Sequence, residues 1–165
     1  MKSTTKHELI PNPKNIICIG LNYADHIAET SLATHDFPEI FMKTSNALAS
    51  HQDIVPIQDK NLHYDYEGEL VIVIGKAGKN ISREQARDHI LGYTIGNDVS
   101  ARVLQFRGSQ WILGKSLDNF APIGPTIVSP DDFDFDNATI TTTVNGEIRQ
   151  QAKLHQMMFK PDAII

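Results

Sequence analysis

The sequence lacks the features that mark secreted, membrane-spanning and nucleic-acid-binding proteins. Its single cysteine, Cys18, lies in the apolar run IICI, so no disulfide framework can form and a buried, inert thiol is expected. Its longest apolar runs, residues 16–19 and 70–74, are too short to cross a bilayer, and its start has no signal-like apolar stretch. No basic run occurs, and the net charge is −5. We therefore expect a cytoplasmic protein with no nucleic-acid and no membrane partner.

What is present is the composition of an ordinary globular domain. The chain has 165 residues, of which 41% are hydrophobic and 21% are charged, so it is long enough to bury a core without metal or disulfide staples. We expect a single domain over residues 1–165, with an irregular, proline-containing lead-in over residues 1–15. The chain stops at Ile164 and Ile165, inside an apolar segment, and we expect that a piece is missing.

Short strands outnumber helices in the sequence pattern. Hydrophobic periodicity and turn residues predict strands over residues 16–19, 40–43, 62–75, 93–97, 138–144 and 147–150. Asn145 and Gly146 join the last two and are the strongest signal for a two-residue type I′ hairpin. Helices are predicted over residues 23–29, after the N-cap Asn22, and over residues 83–89. Because these helices have only one or two turns, the predicted fold class is mainly β with short inserted helices.

The first candidate site lies on the strand HYDYEGEL. Side chains alternate between the two faces of a strand, so Asp65, Glu67 and Glu69 share one face. Like charges at this spacing repel, and a divalent cation would offset the repulsion; oxygen ligands suit Mg²⁺, Mn²⁺ or Ca²⁺ rather than zinc. A solvated acidic face explains the same residues equally well. Asp98, at the end of a later predicted strand, is a further candidate, although an aspartate there normally just forms a turn.

The second candidate is the pair His26 and Glu29, spaced i, i+3 on the first predicted helix and hence on one face. A carboxylate beside an imidazole orients the ring and raises its basicity, as a general base for water requires. An ordinary pair on an exposed helix explains the same spacing, and the two residues alone favour that interpretation.

The third candidate is Lys115 in QWILGKS, between Gly114 and Ser116. A lysine in a glycine-bounded loop can approach an oxyanion closely, but GKS without the rest of GxxxxGKS is no phosphate-binding loop. Four further polar residues stand near these elements: His63, Arg102, Gln105 and Gln110. Their positions alone leave a structural, an exposed and a binding role equally open. Other histidines, among them His89, are expected at the surface.

Six motifs follow one another along the chain: GLNYADHIAE, FMKTSNAL, DYEGELVIVIGK, GYTIGNDVSAR, QWILGKSLDNFAPIGP and VNGEIRQ. In this order they resemble the fumarylacetoacetate hydrolase family, from about Ile16 to the end of the chain. The resemblance implies a mixed β-sandwich roll that is incomplete, because the family's C-terminal strands, with a TLxPGDxIxTGTPxG pattern, are absent. Val103 also departs from the family, since many relatives have an aspartate there.

By the same resemblance, the site consists of metal ligands, catalytic residues and substrate contacts. The ligands of Mg²⁺ or Mn²⁺, with Ca²⁺ as a third option, are Glu67, Glu69 and Asp98. The catalytic residues are His26, Glu29 and Lys115, of which the first two form a water-activating dyad on a lid. The expected substrate contacts are Arg102, Gln105 and Gln110.

The implied reaction is cleavage of a C–C bond in acylpyruvates, such as fumarylpyruvate or acetylpyruvate, through a metal-stabilised pyruvate enolate. Loss of CO₂ from oxaloacetate gives the same enolate without an activated water. Two alternatives stay open: an isomerase or decarboxylase of 2-hydroxy-diene-dioates, and a catalytically silent subunit for binding or assembly. We expect a small-molecule 2-oxo acid as substrate, and a homodimer, because missing strands would expose sheet edges.

Overall fold

The computed structural model describes residue 10, residues 13–23 and residues 36–165 of the chain. Its secondary structure is mainly β with short helices, which confirms the predicted fold class. The predicted helix that carries His26 and Glu29 lies outside the described residues, except for its first residue, Tyr23. That start was wrong, because Tyr23 forms an isolated antiparallel bridge with Met157. In the described part of the chain, no helix is long and apolar enough to cross a membrane.

The described strands are short and pair two by two. In chain order they are β1 (Ile16–Gly20), β2 (Glu39–Lys43), β3 (Leu48–Ala49), β4 (Tyr64–Asp65), β5 (Gly68–Ile74), β6 (Ile90–Asn97), β7 (Ser100–Ala101), β8 (Ala121–Pro122), β9 (Thr139–Val144) and β10 (Glu147–Lys153). The pairs are β1 with β2, β3 with β8, β4 with β7, β5 with β6, and β9 with β10. The α-helices are α1 (Arg83–Ala86), α2 (Arg102–Gln105), α3 (Ile112–Lys115) and α4 (Pro161–Ile164). Single 3-10 turns cover Ser45–Ala47, Lys60–Leu62, Arg87–His89 and Leu154–Gln156.

Several local predictions are confirmed. The strands predicted over residues 16–19, 40–43 and 93–97 are β1, β2 and part of β6. Asn145 and Gly146 have φ angles of 53° and 85°, the positive values that a type I′ turn requires. The strands β9 and β10 pair antiparallel on either side of this turn.

The single long strand predicted over residues 62–75 is wrong. The chain leaves strand geometry at Tyr66 and Glu67, with β4 before this break and β5 after it. The N–H of Glu67 donates to the side-chain oxygen of Asn97 at 2.9 Å, and the carbonyl of Glu67 accepts from the N–H of Asp98 at 2.8 Å. These long-range bonds place the backbone of Glu67 beside that of Asp98.

The chain divides into two compact units, each assembled from three segments. The first unit comprises Met1–Cys18, Phe41–Val71 and Thr94–Thr126. The second unit comprises Ile19–Ile40, Ile72–Tyr93 and Ile127–Ile165. Each unit combines segments from distant parts of the sequence, so this division does not test the single domain expected over residues 1–165. The single domain stays a prediction.

The core of the first unit consists of small and aromatic side chains. Its buried members are Ala47, Val99, Ala101, Phe120 and Ala121. Tyr64 packs edge-on against Phe120, with ring centroids 5.9 Å apart. Val99 directly follows Asp98, and Ala101 directly precedes Arg102. Burial of these two apolar side chains therefore fixes the backbone that carries the two charged ones.

In the second unit, polar side chains bind backbone groups. The carboxamide of Asn22 donates to the carbonyl of Phe159 at 2.9 Å and accepts from its N–H at 2.8 Å. His89 is only 9% exposed, and its Nδ1 lies 2.9 Å from the carbonyl oxygen of Lys76. The expectation that His89 is a surface residue is therefore wrong, because this backbone partner allows the ring to be buried.

Candidate active site

Two of the predicted metal ligands, Glu67 and Asp98, meet in the first unit. Lys115 donates from Nζ to Glu67 Oε2 at 2.7 Å and to Asp98 Oδ2 at 2.8 Å. The side chain of Lys115 is 3% exposed, and those of Glu67 and Asp98 are 21% and 11% exposed. One buried ammonium group therefore joins the two carboxylates.

A second lysine, Lys43, which is not among the predicted site residues, completes the pairing of Asp98. Its ammonium forms an ion pair with Asp98 Oδ1 and donates to the carbonyl of Val99 at 3.0 Å. Burial lowers the pKa of Lys43, and the charge of Asp98 opposes that shift. Each carboxylate oxygen of Asp98 thus faces its own buried ammonium. The signal for Lys43 in the sequence is its position two residues after Phe41 on β2, which puts both side chains on one face.

The charge of Glu69, the third predicted ligand, is poorly compensated. Its pKa is raised to about 8, by burial first and then by the nearby charges of Glu67 and Asp98, while Lys115 opposes the shift. At neutral pH this carboxyl group is therefore mostly protonated. A further positive charge at this place would favour its ionised form.

Arg102 connects the carboxylate cluster to two further side chains. Its Nη2 donates to Glu67 Oε1 at 2.6 Å, its Nε to Asp65 Oδ2 at 2.6 Å, and its Nη1 to Gln105 Oε1 at 2.8 Å. Gln105 is 3% exposed. The structure thus brings two of the expected substrate contacts, Arg102 and Gln105, to the carboxylates. The third, Gln110, is exposed just before α3, and within residues 36–165 no hydrogen bond joins it to this cluster.

Lys115 reaches its position because Gly114 lets α3 approach α2. A Cβ atom on Gly114 would lie 2.3 Å from the backbone nitrogen of Gln105 and 2.6 Å from the carbonyl oxygen of Ala101. No side chain fits there without moving backbone atoms. The ammonium of Lys115 also lies 5.0 Å from the centroid of the Phe41 ring, within range of a cation–π interaction. The glycine of the GKS sequence therefore serves close packing.

The loop after Lys43 is tied to the segment after Lys115. The N–H of Thr44 donates to Ser116 Oγ at 3.1 Å. The side-chain amide of Asn46 donates to the carbonyl of Ser116 at 3.0 Å and to Asp118 Oδ1 at 2.8 Å. These bonds hold the two lysine-bearing segments together.

Cys18 and His63 border the cluster. Burial, with the charge of Asp98 next, raises the pKa of the half-buried Cys18 thiol to about 12, so the thiol is protonated at neutral pH. His63 has a positive φ of 52°, and its carbonyl accepts the N–H of Arg102 at 2.9 Å. Its side chain lines a shallow hollow of about 490 Å³, together with those of Asp65, Arg102, Val103 and Phe106.

The carboxylates provide the donor chemistry of a hard divalent cation, since they offer only oxygen atoms and the charge of Glu69 is poorly compensated. Among residues 10, 13–23 and 36–165, however, no three acidic, histidine or cysteine side chains form a ready-made metal site. The cation between Glu67 and Asp98 is the Lys115 ammonium. The predicted metal site therefore stays a prediction. The predicted dyad of His26 and Glu29 lies outside the described residues.

A family model, curated relatives and solved structures all match most of the chain. The family model described as "Fumarylacetoacetate (FAA) hydrolase C-terminal" matches residues 15–165. Oxaloacetate tautomerase fahd2 of Xenopus laevis, named as mitochondrial, is 44% identical over 159 residues, which cover 94% of this chain and 50% of that protein. Oxaloacetate tautomerase YisK of Bacillus subtilis (strain 168) is 44% identical over 165 residues, which cover 96% of this chain and 54% of that protein. The chain thus spans about half the length of these curated relatives.

A similar solved structure is that of fumarylpyruvate hydrolase from Pseudomonas aeruginosa in complex with Mn²⁺ and pyruvate. Its TM-score is 0.80 at 32% sequence identity, and the match covers 93% of this chain and 69% of that one. At this identity and coverage the similarity extends to sequence as well as fold.

Proposed function

The chain belongs to the fumarylacetoacetate hydrolase family, and on that premise we propose that it carries the site of a metal-dependent hydrolase or lyase of 2-oxo acids. The observation that carries the proposal is the pairing of Glu67 and Asp98 with the buried Lys115 ammonium, together with the raised pKa of Glu69, to which the charges of these two carboxylates contribute. Charges buried in this way are costly to a fold and concentrate at functional sites. Because the chain spans about half of its relatives, the activity proposed is that of the whole protein.

The residues that would hold Mg²⁺ or Mn²⁺ are Glu67, Glu69 and Asp98. Their oxygen atoms match the preference of these hard cations. A bound cation there would supply Lewis acidity toward the carboxylate and 2-oxo oxygens of the substrate. The relative solved with Mn²⁺ and pyruvate supports this choice of cofactor and substrate class.

The chain's own residues supply positive charge and fixed hydrogen-bond donors. Breaking the bond between C3 and C4 of an acylpyruvate leaves a pyruvate enolate, whose negative oxygen the nearby Lys115 ammonium stabilises. Lys115 also holds a proton at Nζ that it can share with this oxygen. Arg102 orients the substrate carboxylate through the N–H groups that it does not donate to protein partners. For hydrolysis, we assign to His26, oriented by Glu29, the removal of a proton from the attacking water.

A second candidate reaction is the tautomerisation or decarboxylation of oxaloacetate. Its support is the 44% identity to the two oxaloacetate tautomerases of Xenopus laevis and Bacillus subtilis (strain 168). Tautomerisation moves a proton between C3 and the 2-oxo oxygen and interconverts the keto and enol forms of oxaloacetate, whereas loss of CO₂ leaves the pyruvate enolate. Neither reaction consumes water. The Lys115 ammonium would serve both reactions, whereas the water-activating role of His26 would serve hydrolysis alone.

The test is an assay of the full-length protein with Mg²⁺ or Mn²⁺ on acetylpyruvate and on oxaloacetate, the latter followed for both enol formation and CO₂ release. We expect turnover of at least one substrate, and turnover of neither would refute the proposal in favour of a silent binding or assembly subunit. Light scattering on the same sample tests the homodimer that we propose.

His26→Ala separates the two reactions. Loss of a general base lowers rates by about 10²-fold or more, so acylpyruvate hydrolysis should fall by that amount while the oxaloacetate reactions fall far less. His51→Ala changes an exposed histidine and is the matched control. Equal losses in both reactions would mean that His26 only shapes the pocket.

A further inference from the structure

The hydrogen-bond capacity of Arg102 is largely committed inside the protein. A guanidinium group has five N–H groups in one plane. Arg102 donates one to Asp65, one to Glu67 and one to Gln105, at 2.6, 2.6 and 2.8 Å. No other described residue accepts a hydrogen bond from the Arg102 guanidinium, so within this part of the chain two N–H groups are left for a ligand. Because the group is planar, the three protein bonds fix where these two remaining donors point.

Asp65 holds the Nε edge of this plane, and its own position is fixed by backbone pairing. Asp65 pairs with Ser100 and Tyr64 with Ala101 in the short antiparallel ladder of β4 and β7, directly before Arg102. The N–H of Arg102 donates to the carbonyl of His63 at 2.9 Å. The β4–β7 ladder thus holds the backbone of both partners: Asp65 belongs to β4, and Arg102 directly follows β7.

The other partners of Arg102 bind a different part of the guanidinium. Glu67 and Gln105 accept from the two terminal nitrogens, where ligand donors also lie, whereas Asp65 accepts from Nε. Without Asp65, nothing shown in this network would hold the Nε edge, and the plane could turn about its remaining bonds. Among its two carboxylate partners, the Arg102 guanidinium would also keep only Glu67.

We infer that Asp65 is a positioning residue: it aims Arg102 so that the two remaining N–H groups face the carboxylate of the bound 2-oxo acid. This inference rests on the proposed function. The resemblance to the family gives Glu67 and Glu69 the role of metal ligands and gives Asp65 no role. The side chains of Asp65 and Arg102 are 53% and 29% exposed, so the pair contributes little to the stability of the fold. The effect of Asp65 is on the orientation of the Arg102 guanidinium.

The test compares Asp65→Asn and Asp65→Glu with the unchanged full-length protein, on whichever of oxaloacetate or acetylpyruvate it turns over. In Asp65→Asn, KM should rise about tenfold while kcat changes less than about twofold. The reason is that Arg102 loses the charged hydrogen bond that orients its guanidinium toward the substrate carboxylate. The affinity for Mn²⁺, measured by calorimetry, should change less than about twofold, since Glu67 keeps its bond to Lys115. Asp65→Glu retains a carboxylate and should restore most of the wild-type KM.

The matched control is Asp131→Asn, which removes the partner of Arg87 in an exposed ion pair of the same 2.6 Å length in the second unit. Its KM should equal that of the wild type. The inference is overturned if Asp65→Asn and Asp131→Asn give the same KM, or if Asp65→Asn lowers kcat and Mn²⁺ affinity together.

A readout independent of activity keeps this inference separate from the proposed function. The Nε–H of Arg102 should give an NMR signal that exchanges slowly with water in the wild type and in Asp131→Asn. In Asp65→Asn the exchange should accelerate at least about tenfold, because the acceptor at 2.6 Å loses its charge. An unchanged exchange rate would overturn the inference even in an active enzyme. A protein that shows the expected exchange but no turnover would contradict only the proposed function.

Discussion

Some of the short ion pairs in the two units have nearly equal lengths but very different surroundings. In the first unit, Lys115 lies 2.7 and 2.8 Å from Glu67 and Asp98, between side chains that are 3–21% exposed. In the second unit, Arg87 with Asp131 and Arg149 with Glu147 lie 2.6 and 2.7 Å apart, between side chains that are 52–91% exposed. Water screens the exposed pairs, whereas each buried charge depends on its partner. Burial, rather than distance, therefore distinguishes the Lys115 pairs from these two surface pairs.

Removing a buried partner should give the largest effect. Asp98→Asn deprives both Lys43 and Lys115 of a carboxylate, so the free energy of unfolding should fall by about 3 kcal/mol, as when one member of a buried pair is lost. Urea unfolding of the variant measures this change. Asp131→Asn, its exposed counterpart, should lose less than about 1 kcal/mol. Similar losses in both variants would remove the distinction between the units.

The placement of the buried lysine can be broken without touching any charge. In Gly114→Ala, the new Cβ meets backbone atoms of Gln105 and Ala101, so the variant should lose about 2 kcal/mol and shift Lys115 away from Glu67 and Asp98. Thermal unfolding and Mn²⁺ calorimetry measure the two consequences. Gly108→Ala is the control, since a Cβ there meets nothing within 4 Å. A stable Gly114→Ala protein with unchanged Mn²⁺ affinity would contradict this account.

The pH dependence of stability sharpens the comparison further. The pKa of Glu69 is raised from 4.5 to about 8 in the folded protein, so the folded state keeps a proton that the unfolded state releases. Its stabilising contribution is complete below pH 4.5 and is lost as pH rises toward 8. Without metal, the free energy of unfolding should therefore decline as the pH rises from 4.5 toward 8. Added Mn²⁺ should reduce this decline in unfolding free energy, because a positive charge near Glu69 favours its ionised form.

Urea unfolding of the wild type and of Glu69→Gln across this pH range checks that Glu69 causes the decline in unfolding free energy, because the glutamine carries no titratable proton. The variant should lose the decline that the wild type shows between pH 4.5 and 8. An equally steep decline in Glu69→Gln would assign it to other groups.

The smallest effect should come from the hairpin. Glu147→Gln removes the partner of Arg149 in an exposed pair, and the free energy of unfolding should change by less than about 0.5 kcal/mol. Urea unfolding at low and high salt measures it. A loss above about 1 kcal/mol would show that exposure alone does not rank the ion pairs of this protein.

Elements that depend on local sequence could be predicted, and those that depend on distant partners could not. The turn at Asn145 and Gly146 follows from backbone preferences of two adjacent residues, and it is confirmed. The strand break at Glu67 follows from bonds to Asn97 and Asp98, about 30 residues away in sequence, which no local pattern shows. Local alternation therefore extended the strand through residues where the chain turns to meet other partners.

The candidate site divides in the same way. Its acidic residues and Lys115 stand in motifs that mark them, and the structure brings Glu67, Asp98 and Lys115 together. Lys43 was missed because a lysine on a short strand usually points to water, and its carboxylate partner Asp98 lies 55 positions away in the sequence. The bond between Asp65 and Arg102 is also long-range, so the sequence could place both residues near the site without assigning their interaction.

The packing around Lys115 also gives the protein an optical probe. Trp111 is the single tryptophan of the chain. Its ring meets that of Phe41 edge-on, with centroids 5.3 Å apart, and the Lys115 ammonium lies 5.0 Å from the centroid of the same Phe41 ring. Indole emission shifts with nearby charge and polarity, so a displacement of this lysine changes the fluorescence of the unlabelled protein. A ligand that displaces this lysine would therefore be detected through one intrinsic chromophore, without a tag or a coupled reaction.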